Sequence, residues 1–270
     1  MGGSDRLRYF HGHWPTNKGA WFPGETVRFR DKALFEDFAD ASWMTLMLYG
    51  INGRMPDANQ SRMIEKIWSI SSSFPDPRLW NNRVAALAGT VRSTGSLALA
   101  AATGVTEATI YGSRPVFKGA HFLHQLRAAV DAGESLETLV FARLAADRVL
   151  PGFGRPVTTR DERVEPLLRE AARLGFGDGP FLNLVRDIEK VLRARRHRLN
   201  PNIAIYCAAL FSDLGYSPSE SYMIAVLAFS AGMIPCYLDA LEKPEGCLFP
   251  LDCASVRYDG HAKRRITNDP

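Results

Sequence analysis

The chain has 270 residues, 46% of them hydrophobic, which is enough for one large domain or two small ones with a substantial core. Its 33 Lys and Arg are spread among 29 Asp and Glu for a net charge of +4, so no nucleic-acid surface is implied. Cys207, Cys236, Cys247 and Cys253 form no CxxC pair, which argues for reduced cytoplasmic thiols over zinc or disulfides, and neither a bilayer-spanning apolar run nor a signal-peptide core is read.

Residues 1–30 carry Gly, Pro and aromatic residues without periodicity and read as an irregular arm, with short strands around 24–30. From Asp31 the character changes. Leu34, Phe35, Phe38, Ala41, Met44, Leu48 and Tyr49 recur at helical spacing until Gly50 and Pro56 end the run. A second helix places Met63, Ile64, Ile67 and Ile70 on one face, and Phe74-Pro75-Asp76-Pro77 breaks it. Residues 84–104 are small and almost uncharged, which predicts a central, closely packed helix pair. A loop at 111–115 precedes helices over 122–131 and 135–149. The sharp loop Pro151-Gly152-Phe153-Gly154 leads to amphipathic helices over 163–174 and 181–196. Arg193, Arg195, Arg196, His197 and Arg198 close the second of these, where the helix dipole favours cations; phosphate recognition is the competing reading. Asn200 is expected to cap the next helix with Pro201 in its first turn. Ser217-Pro218 opens the last helix over 220–241, and the tail from Lys243 is irregular. The predicted class is all-α.

Four segments stand in order along these helices. They are Arg92-Ser93-Thr94-Gly95, Tyr111-Gly112-Ser113, the stretch from Leu150-Pro151-Gly152-Phe153-Gly154-Arg155 to Asp161-Glu162-Arg163, and Pro201-Asn202-Ile203-Ala204. In this order they resemble the citrate synthase superfamily, most of all its short citryl-CoA lyase branch. That family carries Ser-Thr, His-Gly-Gly, Pro-Gly-Phe-Gly-His followed by Asp-Pro-Arg, and Pro-Asn-Val-Asp. Gly232 and Tyr258-Asp259-Gly260 also fit, so the resemblance spans residues 31–265. It implies a helical homodimer with a large domain (31–113 and 213–270), a small domain (114–212) and an active-site cleft between them. The 151–154 loop would approach the adenine end of a CoA thioester. Arg160 and Arg163 would be available to its phosphates. No tightly bound cofactor and no metal are implied.

The family joins or splits acyl-CoA and a 2-oxo acid through an enol. That chemistry needs a carboxylate base, donors at two developing oxyanions, and arginines for the carboxylates. Matched position by position, the two histidines fall at Tyr111 and Arg155 and the aspartate base at Ala204. Two arginines fall at Phe229 and Phe249, a further histidine at Cys236, and an Asp-His pair near Asp76-Pro77-Arg78. Ala204 cannot move a proton, and the two phenylalanines remove the clamps for a tricarboxylate. The leading reading is a divergent acyl-CoA carbon–carbon lyase or acyltransferase that is not a citrate synthase. The alternative is an inactive homologue serving as a ligand-binding or regulatory partner subunit.

Each singled-out residue also has a structural reading. Tyr111 is either a hydrogen-bond donor or a packed aromatic. Arg155 either reaches into the cleft or pairs with Asp161 or Glu162. Cys236 reads as a small buried hydrophobe before a nucleophile, and Asp239 as structural. His121 and His124, three apart on one helix, lack the further ligands a metal needs. His11 and His13 fall in the arm, and His261 is a weak candidate beside the chain end.

Overall fold

The computed structural model describes residues 3–12, 14–109, 111–155, 160–248, 250 and 252–261, with the backbone alone for Arg6 and Cys253. The arm is more ordered than its composition implies. It forms helix α1 (Gly3–Phe10) and an antiparallel sheet of β1 (Gly19–Phe22), β2 (Thr26–Phe29) and β3 (Lys32–Ala33), in the order β1-β2-β3. Trp21 pairs with Val27 and Arg28 with Ala33. Gly24, at φ +77°, makes the tight connection between β1 and β2 that a Cβ would strain. The sheet is fastened to the helices by Arg30, whose Nη2 donates to the carbonyls of Gly50 and Ile51, both at 2.9 Å.

Those carbonyls belong to α3 (Trp43–Asn52), which a short α2 (Leu34–Asp37) precedes. The apolar period runs through both helices, but Ser42 divides them: its Oγ accepts the Thr45 N–H at 3.1 Å and caps α3. Next come α4 (Ala58–Ser71), with an Asp57/Gln60 capping box, then α5 (Trp80–Thr90) and α6 (Gly95–Thr106). The last two are the expected small-residue pair. Ala85, Ala98 and Ala102 are fully buried. Arg92, at φ 58°, turns the chain between them.

The next element, α7 (Arg114–Asp131), starts earlier than expected because Pro115 lies in its first turn, where no N–H is needed. It is followed by α8 (Leu136–Asp147), α9 (Val164–Arg173), α10 (Pro180–Ala194) and α11 (Ile203–Asp213). Ile205, Ala208, Ala209, Leu210 and Phe211 of α11 have no exposed surface, so this helix is apolar on every side and forms the axis of the core. Leu123 of α7 and Leu182, Ile188 and Leu192 of α10 pack around it, and Leu167 of α9 joins the same core from beside α4, each worth about 1.5–3 kcal/mol of burial.

The single last helix expected over 220–241 is divided into α12 (Pro218–Val226), a 3-10 turn (Leu227–Phe229) and α13 (Ser230–Leu241), and a second 3-10 turn (Cys253–Ser255) follows. A Cβ on Gly89 of α5 would lie 2.6 Å from the Tyr237 carbonyl of α13, so these two helices touch backbone to backbone. The run Pro218–Leu241, with mean hydropathy 1.7, is long and apolar enough to cross a bilayer by length and composition. Glu220, Asp239 and Pro235 interrupt it, and its Ile224, Met233, Cys236 and Ala240 are buried against the rest of the protein.

Candidate active site

The Pro-Gly-Phe-Gly loop and the start of α11 are built as one unit. Phe153 and Pro201 form an antiparallel bridge. Gly154 N–H donates to the Asn200 carbonyl at 2.7 Å, and Asn202 N–H donates to the Gly152 carbonyl at 2.9 Å. A Cβ on Gly152 would lie 2.4 Å from that of Ile205, and its φ is +77°, so this position admits only glycine without movement. The cap of α11 is Asn202, whose Oδ1 accepts the Ala204 N–H at 3.0 Å, and not Asn200 as expected. Pro201 is held in the bridge, which delays the helix by two residues.

Asp161 joins this unit to its neighbours. Its side chain is 1% exposed. It receives Arg163 Nε at 2.8 Å, Arg163 Nη2 at 2.9 Å and the Ile203 N–H at 2.9 Å. Burial pushes this carboxyl up, but the Arg163 fork and the Ile203 N–H outweigh it, so it is held below the usual carboxylate range. Arg155 donates Nη1 to Glu162 at 2.6 Å and lies 3.6 Å from Asp161. Of its two readings, the ion pair is the arrangement its side chain adopts. The same Nη1 donates to the Arg160 carbonyl at 3.3 Å. Cys207, one turn into α11, is sealed in, and burial pushes its thiol up to about 12.

The Tyr111 hydroxyl donates to Asn81 Oδ1 at 3.1 Å. Its ring packs against Trp80 at 5.4 Å and Phe229 at 5.7 Å. Burial pushes the phenol up and the Arg163 charge opposes that, so Tyr111 lies within the field of the Asp161–Arg163 cluster. Tyr111 and Phe229, from separate segments, therefore neighbour one another, and the charge of Arg163 reaches the phenol. Phe229 belongs to an apolar cluster with Ala85, Ala102 and Met233. Ala204, half-buried in the first turn of α11, offers a methyl and no proton acceptor.

Cys236 is buried with Ala86 and Ala240, and burial raises its thiol. Phe249, residues 156–159 and His13 lie outside the described residues. Asp76 holds Arg78 in a fork with Nη2 at 2.6 Å. His124 Nε2 lies 3.1 Å from Ser212 Oγ, its ring stacked on Phe181 at 4.6 Å. Of the basic run, Arg193 pairs with Glu189 and Arg195 with Glu137, both at 2.6 Å. His261 is exposed.

Two features carry no clear mark in the sequence. A cavity of about 480 Å³ between α7 and α8 is lined by Phe117, Lys118, His121, Arg143, Val149 and Pro151 among others. Beneath Tyr111 lies a buried polar group of Ser73, Asn81 and Asn82. The Asn81-Asn82 doublet beside an otherwise small, apolar helix is its only signal.

This arrangement of helices is the all-α fold of citrate synthases and citryl-CoA lyases. Residues 25–243 match the family described as citrate synthase, C-terminal domain, and the chain belongs to that family. No curated protein sequence matches it. Among solved structures, citryl-CoA lyase from Hydrogenobacter thermophilus superposes with a TM-score of 0.82 at 19% identity, over 94% of this chain and 97% of that one. ATP citrate lyase from Methanothrix soehngenii, in complex with citrate and coenzyme A, gives 0.75 at 19% identity, over 100% of this chain and 46% of that one. Citrate synthase from Thermotoga maritima gives 0.62 at 16% identity, over 89% and 62%. At these identities the likeness is one of fold.

Proposed function

We propose that the protein binds an acyl-CoA or related thioester and acts on a substrate other than citrate. The carrying observation is the cavity that Pro151 of the glycine loop shares with Lys118, His121 and Arg143. Lys118 and Arg143, the latter paired with Asp147 at 2.6 Å, stand with His121 beside an apolar wall of Phe117 and Val149, a lining that suits a nucleotide with its phosphates. ATP citrate lyase, on the same fold, is a complex with citrate and coenzyme A, which supports the choice of ligand.

The acyl end would lie toward Tyr111, Phe229 and Arg163, in a cleft between residues 114–212 and the remainder. Phe229 favours an apolar acyl chain. Arg163 already spends its fork on Asp161, so the cluster holds a neutral carbonyl or hydroxyl better than a tricarboxylate. Arg160 as a phosphate contact and Arg155 as a group for the thioester belong to the same proposal, and Arg163, held by Asp161, stays at the acyl end. A cytoplasmic setting suits Cys207, Cys236 and Cys247, which are free thiols.

The chain is also proposed to act as a homodimer. Leu87, Val91, Leu97, Ile234 and Leu238 are exposed on or beside α5, α6 and α13, where a second copy would cover them.

The test is calorimetric titration of coenzyme A into the parent protein, Lys118→Ala and Arg143→Ala. Both variants should weaken binding, and more so at low salt, because phosphate contacts at a surface are screened. Unchanged affinity in both would place the nucleotide elsewhere. No heat with the parent would end the reading.

A further inference from the structure

The hydrogen bonds beneath Tyr111 decide where its proton goes. Ser73 Oγ is 3.0 Å from the Phe229 carbonyl and 3.3 Å from Asn82 Oδ1. The Asn82 amide is already oriented, since its Nδ2 donates to the Phe74 carbonyl at 2.6 Å and the Asp76 carbonyl at 3.2 Å. Both of these partners of Ser73 are therefore acceptors, and Ser73 has one proton to give. Toward Asn81 it can only accept, so it receives Asn81 Nδ2 at 3.4 Å. That turns Asn81 Oδ1 to Tyr111, and the phenol must donate. Asn81 is fully buried and Ser73 nearly so, so no water competes for these roles.

We propose that Ser73 and Asn81 are positioning residues that bind the Tyr111 proton and leave its oxygen as an acceptor, so that the acyl group selected there carries a hydroxyl. A carbonyl placed against Tyr111 would meet lone pairs and no proton. A hydroxyl, as in a 3-hydroxyacyl thioester, would donate. The choice of acyl group rests on the proposed binding of a thioester. The direction of the proton does not.

Two measurements separate these claims. Ultraviolet difference titration of the phenol, with Tyr111→Phe as the blank, is run on the parent, Asn81→Leu and Ser73→Ala. Leucine fills the space of Asn81 without an acceptor. Loss of the oxygen that retains the proton should lower the titration midpoint in Asn81→Leu. Ser73→Ala frees the amide to turn its Nδ2 to the phenol oxygen, and should lower the midpoint too. A rise or no change in both overturns the proposal, because it means that Asn81 donates to Tyr111. Calorimetry then compares 3-hydroxybutyryl-CoA with acetoacetyl-CoA, which carries a carbonyl at the same position. The parent should prefer the hydroxyacyl form by about fivefold, the size of one neutral hydrogen bond, and Ser73→Ala should lose that preference. Equal affinities in the parent overturn the hydroxyl selection. If neither thioester binds while the midpoints fall, it is the thioester reading that fails, and the positioning role of Asn81 and Ser73 is supported.

Discussion

Asp161 and Arg163 meet as a fork, Nε at 2.8 Å from Oδ1 and Nη2 at 2.9 Å from Oδ2, while the same Oδ2 takes the first free N–H of α11 from Ile203 at 2.9 Å. One carboxylate thus fixes a loop, a cation and a helix start. Asp161→Asn loses the charge and half the fork. Removing one member of a fully buried pair costs about 3–5 kcal/mol. Arg163 keeps 34% of its side chain exposed, so about 2–3 kcal/mol is expected here. Urea unfolding of parent and variant measures it, and a change below about 0.5 kcal/mol, the scatter of neutral surface substitutions, would contradict the role.

The pH dependence arises from two carboxyls shifted in opposite directions. Asp161 sits below its usual value when folded, so its stabilisation is complete above an unfolded pKa of about 4 and is lost as pH falls through the folded value. Asp213, which accepts the Phe181 N–H at 2.7 Å, is raised by burial, so its charged form weakens the fold once pH rises past about 4. Acid titration of stability should therefore bring the parent closer to Asp161→Asn as pH drops from about 5 to 3. Over the same range the parent should gain on Asp213→Asn. Parallel curves for both variants would show the assignment of signs to be wrong.

Gly152→Ala should be among the costliest single changes in the chain. The new methyl would press on Ile205 from 2.4 Å at a φ of +77°, adding overpacking of about 1–3 kcal/mol to left-handed strain of about 1–2 kcal/mol. Thermal unfolding should drop sharply, and coenzyme A binding should weaken with it. Gly133→Ala has a similar φ, +94°, but nothing within 4 Å, and should show only the strain. Equal effects at the two positions would mean that the contact with α11 does not matter.

Much of this fold is legible in the chain itself, and the reasons differ by element. The pair α5 and α6 announces itself because Ala85, Ala98 and Ala102 leave no room for another reading. Helices start at Ser135 and Ser217, where the sequence places them, and each serine caps its helix. The start of α7 is hidden by Pro115, which reads as a break but is tolerated in a first turn. The cap of α11 is displaced from Asn200 to Asn202 by a bridge between Phe153 and Pro201, a contact between residues 48 apart that no local pattern reveals. In the site, Tyr111 and Arg163 can be named from motifs. The partner of Tyr111 cannot, because Asn81 lies 30 residues away and has no motif of its own.

The assembly prediction is a homodimer. Sedimentation at micromolar concentration should give about twice the 30.0 kDa chain mass. Leu97→Glu and Leu238→Glu, each placing a charge on the exposed apolar face of α6 or α13, should shift it toward the monomer. A monomeric parent would reject the assignment of that face.

On the proposed reading, a citrate synthase fold here serves a thioester without serving citrate. Its chemical basis is Ala204, which offers no proton acceptor in the first turn of α11, and Phe229, packed against Tyr111 at 5.7 Å. The most direct measurement is side-by-side calorimetry of acetyl-CoA and citrate on the same preparation. Saturable heat is expected with acetyl-CoA and none with citrate. Saturable binding of citrate, or none of acetyl-CoA, would contradict the proposed reading.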